Sequence, residues 1–361
     1  PHDVYTASDS LGWVYQFWQT KRKGEVNESG VKIGAQELAP VTQLFTEPYM
    51  VSFLLDNSLG AWWAARRLTD VDLESAASEE ELRQKAAIPG VPLEYLRFVR
   101  DDDKAWTPAA GTFSRWPDHL SELKAMDPCC GSGHFLVAAL HMLVPMRMES
   151  EGLSAREAVD AVLRENLHGL ELDERCVELA AFALALAAWT YPGSGGFRPL
   201  PEFHLACSGS SVGVSKEDWK RLGDGDQNLS IALGSMYDLF RQAPVLGSLI
   251  DPASSEVTKL VPWNRLSESL QHALHEDKPA ALKEAAVVAH GLARAASLLS
   301  EKYHWIITNV PYLKRAKQDE DLRTFCQENY NAAKNDLATV FLERCLRMCS
   351  EGGTTSVVLP Q

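Results

Sequence analysis

Residues 126–143 constrain the fold more than any other stretch of the chain. Met126 and Asp127 close a short apolar run, and Pro128-Cys129-Cys130-Gly131-Ser132-Gly133-His134 follows. Phe135, Leu136, Val137, Leu140 and Leu143 then recur with helical spacing. This is a strand, a glycine turn and a helix, the unit from which open α/β sheets are built, and such sheets take their ligands at the carboxyl ends of the strands. Gly131 and Gly133 let backbone approach a ligand closely. The helix start favours a carboxylate, and Asp127 can accept from an ammonium or a hydroxyl. The spacing differs from the G-x-G-x-x-G of dinucleotide binders, which argues against a nicotinamide or flavin cofactor.

A second unit follows. Asn166-Leu167-His168-Gly169-Leu170-Glu171-Leu172-Asp173 reads as a strand ending in acids, with a helix over Glu174 to Trp189. An acid at the end of the second strand of such a unit accepts from ribose hydroxyls. Glu171 is the first choice for that role and Asp173 the second; either is otherwise an ordinary charge at a helix start.

Trp305 to Thr308 is a third apolar run, and it stops at Asn309-Val310-Pro311-Tyr312. The amino nitrogen of adenine shares its lone pair with the ring and is a poor nucleophile. Two acceptors held out of the ring plane favour a more tetrahedral nitrogen. The side-chain carbonyl of Asn309 and the backbone carbonyl of Val310 can be those acceptors. Pro311 locks its own φ and restricts Val310 to extended geometry. Tyr312 offers a stacking face, worth roughly 1–3 kcal/mol, against the few kcal/mol of taking a base out of its helix. A strand followed by a plain Asn-containing turn is the alternative.

The three segments in this order resemble the amino-methyltransferases that use S-adenosylmethionine, in their N6-adenine DNA branch. Thr42-Gln43-Leu44-Phe45-Thr46-Glu47-Pro48, before a helix over Tyr49 to Leu68, is similar to the element preceding the cofactor loop there. Leu11 to Phe17 and Asp56-Asn57-Ser58-Leu59-Gly60 are similar to the large adenine methyltransferases of bacterial phage-defence systems of the BREX and DISARM kinds. Asn335 to Phe341 and Gly352 to Pro360 resemble the next helix and strand.

The resemblance implies a doubly wound, Rossmann-like α/β sheet. It places Thr46, Asp127, Cys129, Gly131, Gly133, Glu171 and Asp173 at an S-adenosylmethionine pocket. Asn309, Val310, Pro311 and Tyr312 would grip a flipped adenine of double-stranded DNA. Val310 stands where the family has a first proline, which softens the turn. After the expected third strand, Phe203 to Cys207, Ser208 stands where the family often has an acid.

Residues 1–120 read as a mostly helical region contributing to the cofactor pocket, and residues 121–361 as the methyltransferase domain. Residues 208–300 form an insertion too long for a bare loop, with helices over Glu268 to Leu274 and Ala280 to Leu299. Strands are expected near Ala125, Leu170, Leu205, Ile307 and Val357. The family sheet has seven, so the chain reads as part of a longer polypeptide lacking its last strands and target-recognition domain.

The net charge of −14 opposes DNA binding over most of the surface. Lys314, Arg315 and Lys317, with Arg323 beyond, form either a phosphate-contacting rim or a solvated turn. The seven cysteines show no paired metal spacing and read as thiols of a reducing cytoplasm. His272, His275 and Glu276 read as a solvated helix end, and no metal, signal peptide or membrane span is expected. The reading is an N6-adenine DNA methyltransferase of a restriction or phage-defence system, with other defence subunits as possible partners. The alternatives are methylation of an RNA base or a protein glutamine, and an inactive cofactor-binding scaffold.

Overall fold

The computed structural model describes residues 10–35, 37–42, 46–100, 105–223, 225–254, 261–263, 266, 270–271 and 280–359. Gln43, Leu44, Phe45, Asp101 to Asp103, His272, His275, Glu276, Pro360 and most of Glu268 to Leu274 lie outside the described residues.

The short antiparallel pair β1 (Phe98–Arg100) and β2 (Trp106–Pro108) interrupts the helical N-terminal region. It was not anticipated, because three residues are too few to display a period of two. The five expected strands are all present: β3 (Ala125–Asp127), β4 (Leu167–Glu171), β5 (His204–Cys207), β6 (Tyr303–Asn309) and β7 (Cys349–Val358). They form one parallel sheet in the order β5-β4-β3-β6-β7. The chain winds outward from β3 to β5, then returns to β6 on the other side of β3. The order therefore reverses between β3 and β6, where Ala125 stands opposite Trp305 and Met126 opposite Ile306. Asp127 and Asn309, at the two carboxyl ends, flank the crevice where such sheets bind ligands.

Side chains alternate between the two faces of the sheet. Met126, Leu170, Ala206 and Ile306 enter one core; Ala125, Leu167, Leu205, Trp305 and Ile307 enter the other. Both faces are covered, so these strands read as continuous apolar runs. Trp305 is fully buried with its ring centroid 6.0 Å from that of Trp116. Truncating a ring so placed costs about 3–5 kcal/mol.

Helix α1 covers Ser10–Ser29, and α2 begins at Pro48, whose missing N–H suits a first turn. The helix expected over Tyr49 to Leu68 is continuous but contains one wide π turn, Asp56–Gly60, between Pro48–Leu55 and Ala61–Arg67. There Asp56 accepts from the Tyr95 amide at 2.8 Å, and Asn57 accepts from the Arg97 amide at 3.0 Å. The distinctive Asp56-Asn57 pair thus ties the helix to the chain entering β1.

Helices α3 (His134–Glu151) and α4 (Glu174–Thr190) pack on the Trp305 face. The insertion between β5 and β6 covers the other face with Lys216–Arg221, Gln227–Phe240 and α5 (Ala280–Ser300), joined there by α6 (Leu337–Met348). Among the described residues, no helix is long and apolar enough to cross a membrane.

Candidate functional site

The glycine turn after β3 is folded by two left-handed residues, Gly131 (φ 52°) and Gly133 (φ 86°). A Cβ on Gly133 would stand 3.0 Å from the Ala180 Cα, so the second glycine is fixed by the close approach of α3 to α4. A Cβ on Gly131 would meet nothing within 4 Å, so that side of the turn is open.

Glu171, at the end of β4, reaches across to this turn. Its Oε2 accepts from the Gly131 amide at 2.8 Å, and its Oε1 accepts from the amides of Leu172 and Asp173 at 2.8 and 3.2 Å. Burial pushes its carboxyl above the ordinary range, and the three amides pull in the opposite direction without cancelling the effect. Asp127, at the end of β3, is fully buried. Its Oδ1 accepts from the Cys129 amide at 3.1 Å, while its Oδ2 has no hydrogen-bond partner. Burial lifts its pKa to about 7; the nearby Thr308 hydroxyl, itself short of hydrogen-bond geometry, and the Cys129 amide oppose the shift.

Asn309 closes the other flank. Its Nδ2 donates to the Thr46 hydroxyl at 2.9 Å, and its Oδ1 accepts from the Tyr312 hydroxyl at 2.6 Å. The Val358 carbonyl, at the end of β7, is a second acceptor for that hydroxyl at 3.2 Å. Thr46 and Asn309 lie 263 positions apart in sequence, yet the N-terminal region and the sheet meet at this contact. Val310 is buried, and burial raises the Tyr312 phenol.

One cleft joins these elements. Thr46, Cys129, Gly131, Glu171, Ser208, Asn309 and Pro311 line it. Asp127 and Gly133 support the turn but do not line the cleft, and neither do Val310 and Tyr312. Among the described lining residues there is a buried carboxyl and no lysine or arginine. Such a wall suits a cationic ligand and opposes a phosphate-bearing one. S-adenosylmethionine carries a sulfonium and an ammonium, and it fits this charge pattern.

Asp173 stands outside the cleft lining. It caps α4 by accepting from the Arg175 amide at 3.0 Å, and it accepts from the Tyr15 hydroxyl at 2.7 Å. Burial would raise its carboxyl, but the Arg175 guanidinium and the Tyr15 hydroxyl hold it below the ordinary range. Ser208, found where an acid was expected, is fully buried. Its Oγ bonds the Glu171 carbonyl at 3.1 Å and the Ser248 hydroxyl at 3.2 Å, and the Ser248 hydroxyl also donates to the Pro128 carbonyl at 2.7 Å.

Ser248 belongs to a short helical connection of the insertion, a turn of helix (Ala243–Leu246) running into a 3-10 turn (Gly247–Leu249), whose residues Val245 to Leu249 form one wall of the cleft. Sequence reasoning missed this wall because the connection carries no motif. It also missed Tyr15 and Gln16 of α1, and Leu337 and Phe341 of α6, all of which line the cleft. The buried Arg344 of α6 fixes the connection by donating to the carbonyls of Ser248, Ile250 and Leu299 at 3.0, 2.8 and 2.9 Å.

Of the basic residues after the Asn309 turn, Lys314 and Lys317 are exposed. Arg315 is half-buried and donates to Gln327 at 2.7 Å. The backbone here is bonded to the N-terminal region, with the Ile33 amide donating to the Lys317 carbonyl at 2.8 Å.

Known proteins are similar to this chain along its sequence. Over 380 aligned residues the chain is 25% identical to the adenine-specific methyltransferase BrxX of Escherichia coli O9:H4 (strain HS), covering 99% of this chain and 29% of that protein. It is 28% identical to the adenine-specific methyltransferase PglX of Lacticaseibacillus casei (strain Zhang), covering 96% of this chain and 28% of that protein. A PglX of Streptomyces coelicolor is 30% identical over 52% of this chain and 14% of its own length. The chain thus spans less than a third of the length of these curated relatives. Residues 104–192 match the DNA-methyltransferase domain of MmeI. Residues 165–361, more than half of the chain and including β4 through β7, match a second description, and on that match the chain belongs to the Eco57I restriction-modification methylase family.

Proposed function

We propose that this chain carries the catalytic site of an enzyme that moves a methyl group from S-adenosylmethionine to the N6 amino group of adenine in double-stranded DNA. Its setting is the cytoplasm of a bacterium, within restriction or phage defence and alongside other defence subunits. The observation that carries the reading is that Asn309 and the Gly131–Glu171 pair line one cleft from opposite sides of the sheet's switch point. The relatives' designation as adenine-specific methyltransferases agrees with it.

The residues divide the work. Glu171 and the turn at Gly131 hold the cofactor, which supplies an electrophilic methyl group. Ser208 and the Val245 to Leu249 wall enclose it. Asn309 Oδ1 and the Val310 carbonyl accept from the adenine amino group, which must first displace or share the Tyr312 hydroxyl now bonded to Asn309. Pro311 holds the turn, and Tyr312 supports the flipped base. The exposed Lys314 and Lys317, with Arg315 behind them, contact phosphates. Rate comes mainly from holding two bound groups in line.

The test is labelled-methyl transfer to adenine-containing duplex DNA. Parent protein should transfer, and Asn309→Ala should lose about 10²–10³-fold, the scale of removing one preorganised polar group, while cofactor affinity by calorimetry stays within about twofold, since uniform binding is untouched. Transfer only to RNA or protein overturns the substrate assignment. Cofactor binding with no transfer to any of the three makes the chain a scaffold.

A further inference from the structure

Among the described side chains of helix α1 only Tyr15 and Val26 are buried, and Phe17 and Trp18 stand 76% and 71% exposed. Its inner face, Gly12, Tyr15 and Gln16, lines the cofactor cleft. These positions fall at i, i+3 and i+4, one side of a helix.

Tyr15 makes the polar link from this face to the sheet. Its hydroxyl donates to Asp173 Oδ2 at 2.7 Å and accepts from Gln19 Nε2 at 2.9 Å. The Arg175 guanidinium sits 5.9 Å from the Tyr15 ring centroid and donates to both Asp173 oxygens, at 3.0 and 2.7 Å. Asp173 in turn donates its own amide to Glu171 Oε1 at 3.2 Å. A continuous path therefore runs from α1 through Tyr15 and Asp173 to the carboxylate assigned to the cofactor.

We propose that Tyr15 is a cofactor-site residue, its ring forming a wall of the cleft and its hydroxyl latching α1 across the bound cofactor through Asp173. This rests on the cleft binding S-adenosylmethionine, as argued above. Asp173 is then a positioning residue, acting on the cofactor through Tyr15 and Glu171. A helix with only two buried side chains among those described opens easily, so the latch governs how long the cofactor stays.

The experiment compares parent, Tyr15→Phe, Asp173→Asn and the double variant in the full chain. Asparagine still caps α4, and phenylalanine keeps the wall. Calorimetry with S-adenosylmethionine should show each single variant weaker by about three- to tenfold, the net worth of one ordinary hydrogen bond, and the double variant no weaker than either single. Trypsin gives a second readout, because Lys21, Arg22 and Lys23 lie on α1. The cofactor should slow cleavage there in the parent and not in Tyr15→Phe. Parent-like affinity and protection in Tyr15→Phe, or additive losses in the double variant, overturn the latch and leave the cofactor reading intact. A folded parent that binds no S-adenosylmethionine overturns both.

Discussion

On the β4 side of the cleft, the Glu171 carboxyl is fixed by three backbone amides; on the β6 side, Asn309 is held by two side chains, Tyr312 and Thr46. Amides cannot leave without moving the turn that carries them. Hydroxyls can exchange partners by rotating. The first arrangement is a preformed seat, and the second is a relay that must open when a base arrives. This matches the proposed division of labour, in which Glu171 holds the cofactor and Asn309 grips the adenine. The seat also stores an unfavourable feature, the buried Glu171 in its wall and the buried Asp127 behind the turn with no lysine or arginine among the lining residues, which the proposed cationic cofactor would relieve.

The strongest way to break this comparison is at Asp127. If burial away from any cation, with one carboxyl oxygen unpartnered, is what distinguishes the β3–β4 side, the acid must weaken the protein as it ionises. Its pKa is about 7 folded and about 3.9 unfolded. Between those values the unfolded chain gives up its proton first, so stability falls as pH rises from about 4 to 7 and levels off above. Asp127→Asn should remove this slope, and relative to the parent it should be stabilising on the order of a few kcal/mol at pH 8 but not at pH 4.5. Urea midpoints at the two pH values measure it. A parent and variant that differ equally at both would show that Asp127 does not titrate in this window.

A smaller effect tests the other side. Tyr312→Phe keeps the ring but removes the bond to Asn309 Oδ1. If the relay aligns Asn309, kcat for adenine methylation should fall by about tenfold, the equivalent of one neutral hydrogen bond at the upper end of its range. Cofactor affinity should not move, and the fold should lose about 1 kcal/mol by urea unfolding, the ordinary net value of the lost hydroxyl bond. A loss of cofactor affinity instead would mean that the two halves of the cleft are coupled and the contrast is false.

The parts of this architecture that a linear reading could find are those encoded locally. The turn at Gly131 and Gly133 announces itself because apolar strand, glycines and amphipathic helix are consecutive, and Glu171 because an acid ends an apolar run. Asn309 stands out for the same reason. What the sequence could not display is proximity created by winding. Tyr15 and Asp173 are 158 positions apart, and Ser248 is 120 positions from Pro128. No local pattern joins either pair, and at Asp173 a helix cap and a ribose acceptor use the same residue type at the same place. The β1–β2 pair escaped because its strands are too short for a period. The π turn escaped because Asp56 and Asn57 are compatible with an ordinary helix until their partners at Tyr95 and Arg97 are known.

Ser248 gives the finest test of the seat. Its hydroxyl donates to the Pro128 carbonyl and meets Ser208, so it joins the insertion to the cofactor turn and to the end of β5 at once. The site is buried, and removing the hydroxyl leaves the Pro128 carbonyl without this donor. Ser248→Ala should therefore destabilise the fold by about 1 kcal/mol, the ordinary net value of such a bond, and should weaken S-adenosylmethionine by at most severalfold, since the amides that hold Glu171 are untouched. Single-turnover methylation at saturating cofactor should be unchanged, because nothing on the Asn309 side depends on this bond. A defect in that single turnover would place this connection of the insertion in the chemistry of the base rather than in the wall of the seat.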